Sequence, residues 1–478
     1  MKHTTRILAL LLALVLCLGL SVTAFAAEGN SITVKNTVAG QTYKLYKMLD
    51  LSVSDDQTAY SYTVNTAWVD FFKETGKGYD YVGITDGFVT WKDSASIEAF
   101  AKDAEAFAKS KPLTEIAKKD TTEQDTNVVF ENLEPGYYLV TSTLGTKATV
   151  GTTPSTPNPE IKEKNGVPTN VKKVQEDSDN SWGTVNDADI GQIVNFQSTI
   201  TAQAGAENYV FHDKMSQGLS FNAKSVVVKN GNTKLVVDKD YTLKTTGLAD
   251  GYTFEVAFQQ TFCDKLNPGE QIVISYSATL NEKAVIAGEG NPNTSHLTYG
   301  EEGKFSTTPS KTITYTWQFD VLKYGNSKKD NVLKDAQFVL LNNDESKVAK
   351  FTGAKFSSWI DVPGEGAAWD PASVLTTDAN GKIHVEGLDA DTYKLREIKA
   401  PDGYNKLSQD EQFTITATKA DNGLTMTPVE LTVDVNNQSG ALLPSTGGMG
   451  TTIFYVLGGI LAVGAAVLLV TKKRMERG

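Results

Sequence analysis

The chain has 478 residues and a formal net charge of −12 at pH 7, room for about three domains of ordinary size. The acidic balance argues against nucleic acid, which calls for basic patches, and suits a secreted, soluble ectodomain. Its two cysteines are Cys17 and Cys263. Lys2, His3 and Arg6 precede an apolar stretch from Ile7 to Val22, and Ala24-Phe25-Ala26 supplies a small-residue cleavage pattern. Residues 1–26 therefore read as a secretory signal peptide cut after Ala26. Cys17 falls inside it behind bulky Val15 and Leu16, which argues against a lipid-modified cysteine. The mature chain keeps Cys263 alone, so it forms no internal disulfide and needs another source of robustness.

Beyond residue 26 the sequence is rich in Thr, Val, Tyr and Asn. Apolar and polar residues alternate at Ser31 to Val34, Phe413 to Thr416 and Leu431 to Val435, and short β-branched runs stand at Val226 to Val228 and within Gln271 to Ser275. Turn clusters such as Asp378-Ala379-Asn380-Gly381 separate them. This pattern predicts an all-β chain of tandem immunoglobulin-like sandwich modules. Ser94 to Lys111 is a helical excursion in the first module, with Ile97, Phe100, Ala101, Ala104 and Phe107 at helical spacing. The proline- and lysine-rich stretch 152–168 reads as a linker or edge segment. A second break falls near Ser306 to Lys311. Expected units are 27–165, 166–312, 313–440 and a tail of 441–478.

In the second unit Asn170, Lys172 and Val174 share one face of the opening strand. Asp213 follows Tyr209 and Phe211, and Asn293, Ser295, Leu297 and Tyr299 alternate on an expected last strand. In the third unit Phe319, Val321 and Lys323 share a face of the first strand, and Leu431, Val433, Val435 and Asn437 share a face of the last. Asn436 points the other way. Tyr393-Lys394-Leu395-Arg396-Glu397 is followed by Ala400-Pro401-Asp402-Gly403-Tyr404.

This last text resembles the E-box of the collagen-adhesin B-type domains found in pilins. The resemblance implies a spontaneous isopeptide bond between Lys323 and Asn437, promoted by Glu397. Burial favours the neutral amine and the protonated acid, and the fold holds the partners together. The second unit resembles the pilin module in which an Asp replaces that Glu. It implies a bond between Lys172 and Asn293 promoted by Asp213, with Lys173 and Glu255 as alternative amine and acid. The separations, 437 − 323 = 114 and 293 − 172 = 121 residues, both suit a tie between distant strands. An internal echo links the first and third units: Leu133, Tyr138 and Ser142 are spaced as Leu388, Tyr393 and Glu397 are. With Ser142 where the acid stands, no bond is expected in the first unit.

The tail reads Leu443-Pro444-Ser445-Thr446-Gly447, then an apolar run from Ile453 to Val470, then Lys472-Lys473-Arg474. The run and its flanks reach the roughly 20 residues that cross a bilayer as a helix, with the basic end cytoplasmic. The trio resembles the wall-sorting signal of Gram-positive surface proteins. It implies cleavage by a sortase between Thr446 and Gly447 and transfer of the Thr446 acyl group to an amine. Shaft pilins carry an acceptor lysine just before the second module. Lys164-Asn165 matches best, with Lys162 as runner-up, although the Tyr-Pro pair expected before the lysine is missing.

These resemblances imply a sortase-assembled pilus shaft subunit on the surface of a Gram-positive bacterium. Its expected partners are sortase, identical subunits and peptidoglycan, with minor pilins and host or matrix ligands as further candidates. A monomeric wall-anchored adhesin is the alternative. No cofactor, metal or enzymatic activity is expected: His212, His296 and His384 lack ligand spacing, and Cys263 lacks a nucleophile signature.

Overall fold

The structure, a computed structural model, describes residues 29–54, 59–420, 423–428, 431–440 and 449–475. The signal peptide and the Leu443 to Gly447 pentapeptide lie outside the described residues.

The first module is a sandwich with a helix on its outer flank. Its small sheet places Asn30–Lys35 between Glu160–Lys162, running parallel, and Asn127–Leu133, running antiparallel. Its large sheet has Thr42–Val53 and Gly136–Ser142 at the centre. Alternation sends Ile32 and Val34 of one sheet against Tyr43, Leu45, Tyr138 and Val140 of the other. The opposite face of the large sheet carries Ile97–Ser110, capped by Ser96, whose hydroxyl accepts from the Ala99 N–H at 3.2 Å. Phe100, Ala101, Ala104 and Ala108 of this helix pack on Trp68, Phe71 and Phe72. Ile97, expected on that buried face, sits in the first turn beyond the end of the packing and is 51% exposed.

The proline-rich stretch does not run free. Its residues Glu160–Lys162 form the edge strand of the small sheet. The next strand, Thr169–Gln175, opens the second module with Asn170, Lys172 and Val174 buried and Val171 and Lys173 exposed.

In the second module Thr169–Gln175 pairs with Ile193–Thr201, which pairs with Gln271–Leu280. The facing sheet contains Val210–Met215 beside Asn291–Tyr299. The sequence reading made the Asn293 strand the last one, and the structure corrects this. Gly300 turns the chain back at a φ of +78°, a conformation a residue with a Cβ resists. Phe305–Ser306 then pairs with the end of the same strand, and Ser310–Tyr315 pairs with Asn291–Ser295. That final strand spans the expected boundary at 312/313.

The third module is a ten-stranded sheet with a small hairpin. Its opening strand, Trp317–Gly325, lies between Lys382–Leu388, antiparallel, and Thr432–Asn437, parallel. Lys323 stands opposite Val435, and Gly325 opposite Asn437. The echo noted between the first and third modules is structural. Tyr138 and Tyr393 are both buried, and each hydroxyl donates to the carbonyl four residues earlier, Glu134 and Asp389. The tail contains a helix, Met449–Met475, in which Tyr455–Lys473 has a mean hydropathy of 1.9 and the length of a membrane span.

The second and third modules share one continuous apolar core. Acidic groups crowd where they meet. The Trp317 indole N–H donates to Asp187 Oδ2, and that of Trp359 donates to Asp189 Oδ2 at 2.7 Å. Asp189 Oδ1 accepts from the Asp389 N–H at 2.8 Å. Burial pushes the Asp187 and Asp189 carboxyls up to about 6, with Glu176 adding to the first and Asp177 and Asp391 to the second. The Asp389 carboxyl is likewise raised well above its ordinary range, by burial first and then by Asp187. The folded joint therefore holds protons that the unfolded chain releases near pH 4. That stability is present below about pH 4 and is lost as pH rises toward 6 and beyond. The melting temperature of the joined modules should fall between pH 4.5 and 7. Asp187→Asn, which keeps an acceptor for the indole, should flatten the dependence in calorimetric scans.

Candidate functional site

Lys323 and Asn437 are brought to the same buried point because the first and last strands of the third module pair in parallel. Lys323 ends the inward row Phe319, Val321, and Asn437 ends the row Val433, Val435. Glu397 comes from the adjacent sheet region on Thr392–Lys399, opposite Phe338. All three side chains are buried. The Lys323 Nζ is 3.1 Å from Glu397 Oε1 but lies off any hydrogen-bond direction, so it has no hydrogen-bond partner. It sits over the Phe338 ring at 5.4 Å. Burial lowers the affinity of this amine for its proton, against the opposing pull of Glu397.

The Asn437 Nδ2 donates to both oxygens of Glu397 at 3.0 Å and to the Asn405 carbonyl at 2.9 Å. Three acceptors around one amide end identify it as the nitrogen. The carboxyl group thus meets the amide nitrogen. The Asn437 Oδ1 is buried and unpaired. Glu397 Oε2 also accepts from the Leu407 N–H at 2.7 Å. The Asn405 and Leu407 backbone contacts were missed in the sequence, where a loop after Ala400-Pro401 gives no sign of where its amides point. Asn436 faces outward, its Oδ1 accepting from the Ser327 N–H at 2.8 Å.

The second module assembles a related cluster across its two sheets. Lys172, Asp213 and Asn293 are all buried. The Lys172 Nζ donates to Asp213 Oδ2 at 2.5 Å. Burial lowers the Lys172 pKa and raises that of Asp213, with each group's charge opposing the other's shift. Both amide atoms of Asn293 and the Oδ1 of Asp213 are buried without partners. The alternatives point elsewhere: Lys173 is exposed, and Glu255 holds the Nδ1 of His212 at 3.0 Å.

A further member is Tyr276, from Gln271–Leu280, which no motif marked. Its buried hydroxyl accepts from the Lys172 amine and donates to Asp213 Oδ2. Its inward position follows from strand parity with Ile272 and Ile274. What parity could not supply is that this ring reaches a charged pair.

A buried polar group without a partner costs about 1–3 kcal/mol. Among the described residues nine buried side-chain atoms lack one, and five of them belong to Asp213, Asn293, Lys323 and Asn437. Among the described residues, more than half of the unsatisfied buried polar atoms therefore belong to these four side chains. Lys162 and Lys164 are both exposed. In the first module Ser142 lies beside a different carboxylate, that of Glu163.

Comparison with known proteins agrees with this architecture. Residues 187–303 match the Gram-positive pilin backbone subunit 2, Cna-B-like domain, residues 318–430 the SpaA prealbumin-like fold domain, and residues 435–477 the LPXTG cell wall anchor motif. The trypsin-resistant surface T6 protein of Streptococcus pyogenes serotype M6 is 27% identical over 278 residues, which is 53% of this chain and 48% of that one. The type 1 fimbrial subunit of Actinomyces viscosus is 35% identical over 96 residues, 20% and 17% of the two chains. This chain thus spans half or less of the curated relatives it matches. The solved T6 backbone pilin of S. pyogenes superposes with a TM-score of 0.55 at 16% identity, covering 87% of this chain and all of that one. The full-length major pilin SpaD of Corynebacterium diphtheriae gives 0.51 at 19%, covering 88% and 99%. These two establish the shared fold. The class is a wall-anchored surface protein made of tandem β-modules. Its domain content is a Gram-positive pilin-backbone domain, a prealbumin-like domain and a wall-anchor motif in one chain.

Asp213→Asn would remove the counter-charge of a fully buried amine, and losing one member of a buried pair costs roughly 3–5 kcal/mol. Glu255→Gln, at a half-buried site, should cost under about 1 kcal/mol. Urea unfolding of the two variants should separate them clearly.

Proposed function

We propose that this protein is the structural subunit of a covalently polymerised surface pilus, joined by sortase between Thr446 and an acceptor lysine and held to peptidoglycan. The observation that carries this reading is the presence in one chain of a pilin-backbone domain at 187–303 and a wall-anchor motif at 435–477. In the assembly step the sortase cysteine attacks the Thr446 carbonyl and the Thr446–Gly447 bond breaks. The amine of Lys164, or of Lys162, then attacks the acyl-enzyme, and an amide joins two subunits. A contact of this head-to-tail kind propagates without closing.

Within each subunit the buried clusters make a second kind of amide. In the third module the neutral Lys323 amine attacks Asn437 Cγ. The Nζ–Cγ bond forms, the Cγ–Nδ2 bond breaks, and ammonia leaves. Glu397 touches both nitrogens, so it takes the proton from Nζ and returns it to Nδ2 with no net gain or loss. Asn405 holds the departing nitrogen through its carbonyl. In the second module Lys172 attacks Asn293 with Asp213 in the proton-carrying role and Tyr276 bridging amine and acid. No cofactor or oxidant enters the balance. Burial, which makes the amine nucleophilic, and fixed contact, which replaces a bimolecular encounter, supply the driving arrangement. Each tie closes more than a hundred residues and stabilises its module by roughly 4–5 kcal/mol in the chain-entropy picture.

Two measurements test the two halves of this reading. The intact mass of the secreted chain should be short of the sequence mass by two ammonia molecules. Glu397→Ala should restore one of them and lower the melting temperature of the third module. A mass equal to the sequence mass would remove both bonds. Separately, immunoblots of wall extracts should show a ladder of very large SDS-resistant species. Lys164→Ala should abolish the ladder and leave one wall-attached band. Such a single band from the wild type would instead indicate a monomeric wall-anchored adhesin.

A further inference from the structure

One buried carboxylate has no part in either cluster. Glu163 is 7% exposed, although it lies between exposed Lys162 and Lys164. Its Oε2 accepts from the Tyr43 hydroxyl at 3.0 Å, from Ser142 Oγ at 3.3 Å and from Thr146 Oγ1. Its Oε1 accepts from the Asn165 N–H at 2.9 Å. Its own N–H donates to the Lys35 carbonyl at 2.8 Å, extending the parallel pairing of Glu160–Lys162 with the first strand.

These residues occupy the places of the third module's cluster. Tyr43 stands opposite Ser142 as Phe338 stands opposite Glu397. Glu163 follows a last strand that runs parallel to the first, as Asn437 ends one. The chemistry is altered at every position: a phenol replaces the ring, a hydroxyl replaces the acid, and a carboxylate replaces the amide. Among the described residues, the side-chain partners of Glu163 are hydroxyls and none is an amine. What remains is a clasp of charge-assisted hydrogen bonds, the stronger kind of neutral-to-ion contact.

The geometry points to Glu163 as the positioning residue for the acceptor amine: it locks the last strand of the first module and so projects Lys162 and Lys164 from one exposed side. In an extended segment residues 162 and 164 share a face when 163 is turned inward. An amine held this way reaches an acyl-enzyme in few orientations, which favours one lysine over its neighbour. Released from the clasp, the segment would present either lysine in many directions. This inference rests on the reading of the 162–164 segment as the acceptor, and the two are tested separately.

The first arm is hydrogen exchange by mass spectrometry on the full-length chain in detergent. Glu163→Ala should speed exchange in segments 30–36 and 160–166 on the order of tenfold or more, while segments of the third module stay unchanged. Glu163→Gln and Tyr43→Phe, milder losses, should give intermediate increases, and they serve if the alanine variant fails to fold. Unchanged exchange in all three variants would overturn the clasp. The second arm is tandem mass spectrometry of polymer from producing cells. The wild type should link Thr446 through one lysine of the pair, and Glu163→Ala should divide the links between Lys162 and Lys164. A loosened segment with undivided links would overturn the positioning role. Wild-type links through some other lysine would overturn the acceptor reading instead, with the exchange result still deciding the clasp.

Discussion

The structure depends on a lysine amine being buried where water cannot reach it. An unpaired ammonium in an apolar core is prohibitively costly, so each buried lysine needs a carboxyl neighbour. The neighbour in turn restricts which strands can meet. Lys323 requires Glu397 from a strand of different origin, and Lys172 requires Asp213 from the opposite sheet. Each pair therefore specifies a sandwich register as well as a reactive centre. The same demand explains why the unpaired polar atoms gather at Asn293 and Asn437.

Much of this was legible in the residues because strand parity is a strict rule. A row of Phe319 and Val321 that ends in Lys323 can only bury that lysine, and the row ending in Asn437 can only bury that asparagine. The same reasoning separated Asn437 from Asn436, and it put Lys172 on the inward face while leaving Lys173 open as an alternative that the exposed position of Lys173 now removes. Parity is silent about what arrives from elsewhere in the chain. Tyr276 looked like one more apolar position, and the Asn405 and Leu407 contacts depend on loop path. The extra strand Ser310–Tyr315 was hidden because it follows directly on a break in composition, and the inward threonines Thr312 and Thr314 do not look like a core. Ile97 was misplaced for a simpler reason. Helical periodicity gives a face, and only the neighbours decide how far along the helix that face is covered.

The three modules show one cluster in three chemical forms. The third has amine, acid and amide within a few ångström. The second adds a phenol between the amine and a shorter acid. The first, at matching strand positions, has hydroxyls closed on Glu163. A carboxylate there is compatible with burial because four donors surround it, whereas Asn437 keeps an unpaired oxygen. Under the proposed bonds, the same architectural place would serve permanent closure in two modules and reversible closure in the one that carries the candidate acceptor lysines.

Parallel pairing of the first and last strands of the third module has a mechanical consequence. Tension enters at Trp317 and leaves beyond Asn437, so the two strands are pulled past each other in shear and their hydrogen bonds resist together. Were Lys323 bonded to Asn437 as proposed, the load would pass along only the seven residues from Trp317 to Lys323 and then cross to the exit. At about 3.3 Å per residue that path is already taut at roughly 23 Å. Everything from Tyr324 to Asn436 lies off the line of force. The module would behave as a short inextensible link, and its remaining strands would stay folded under a pull that has no route through them.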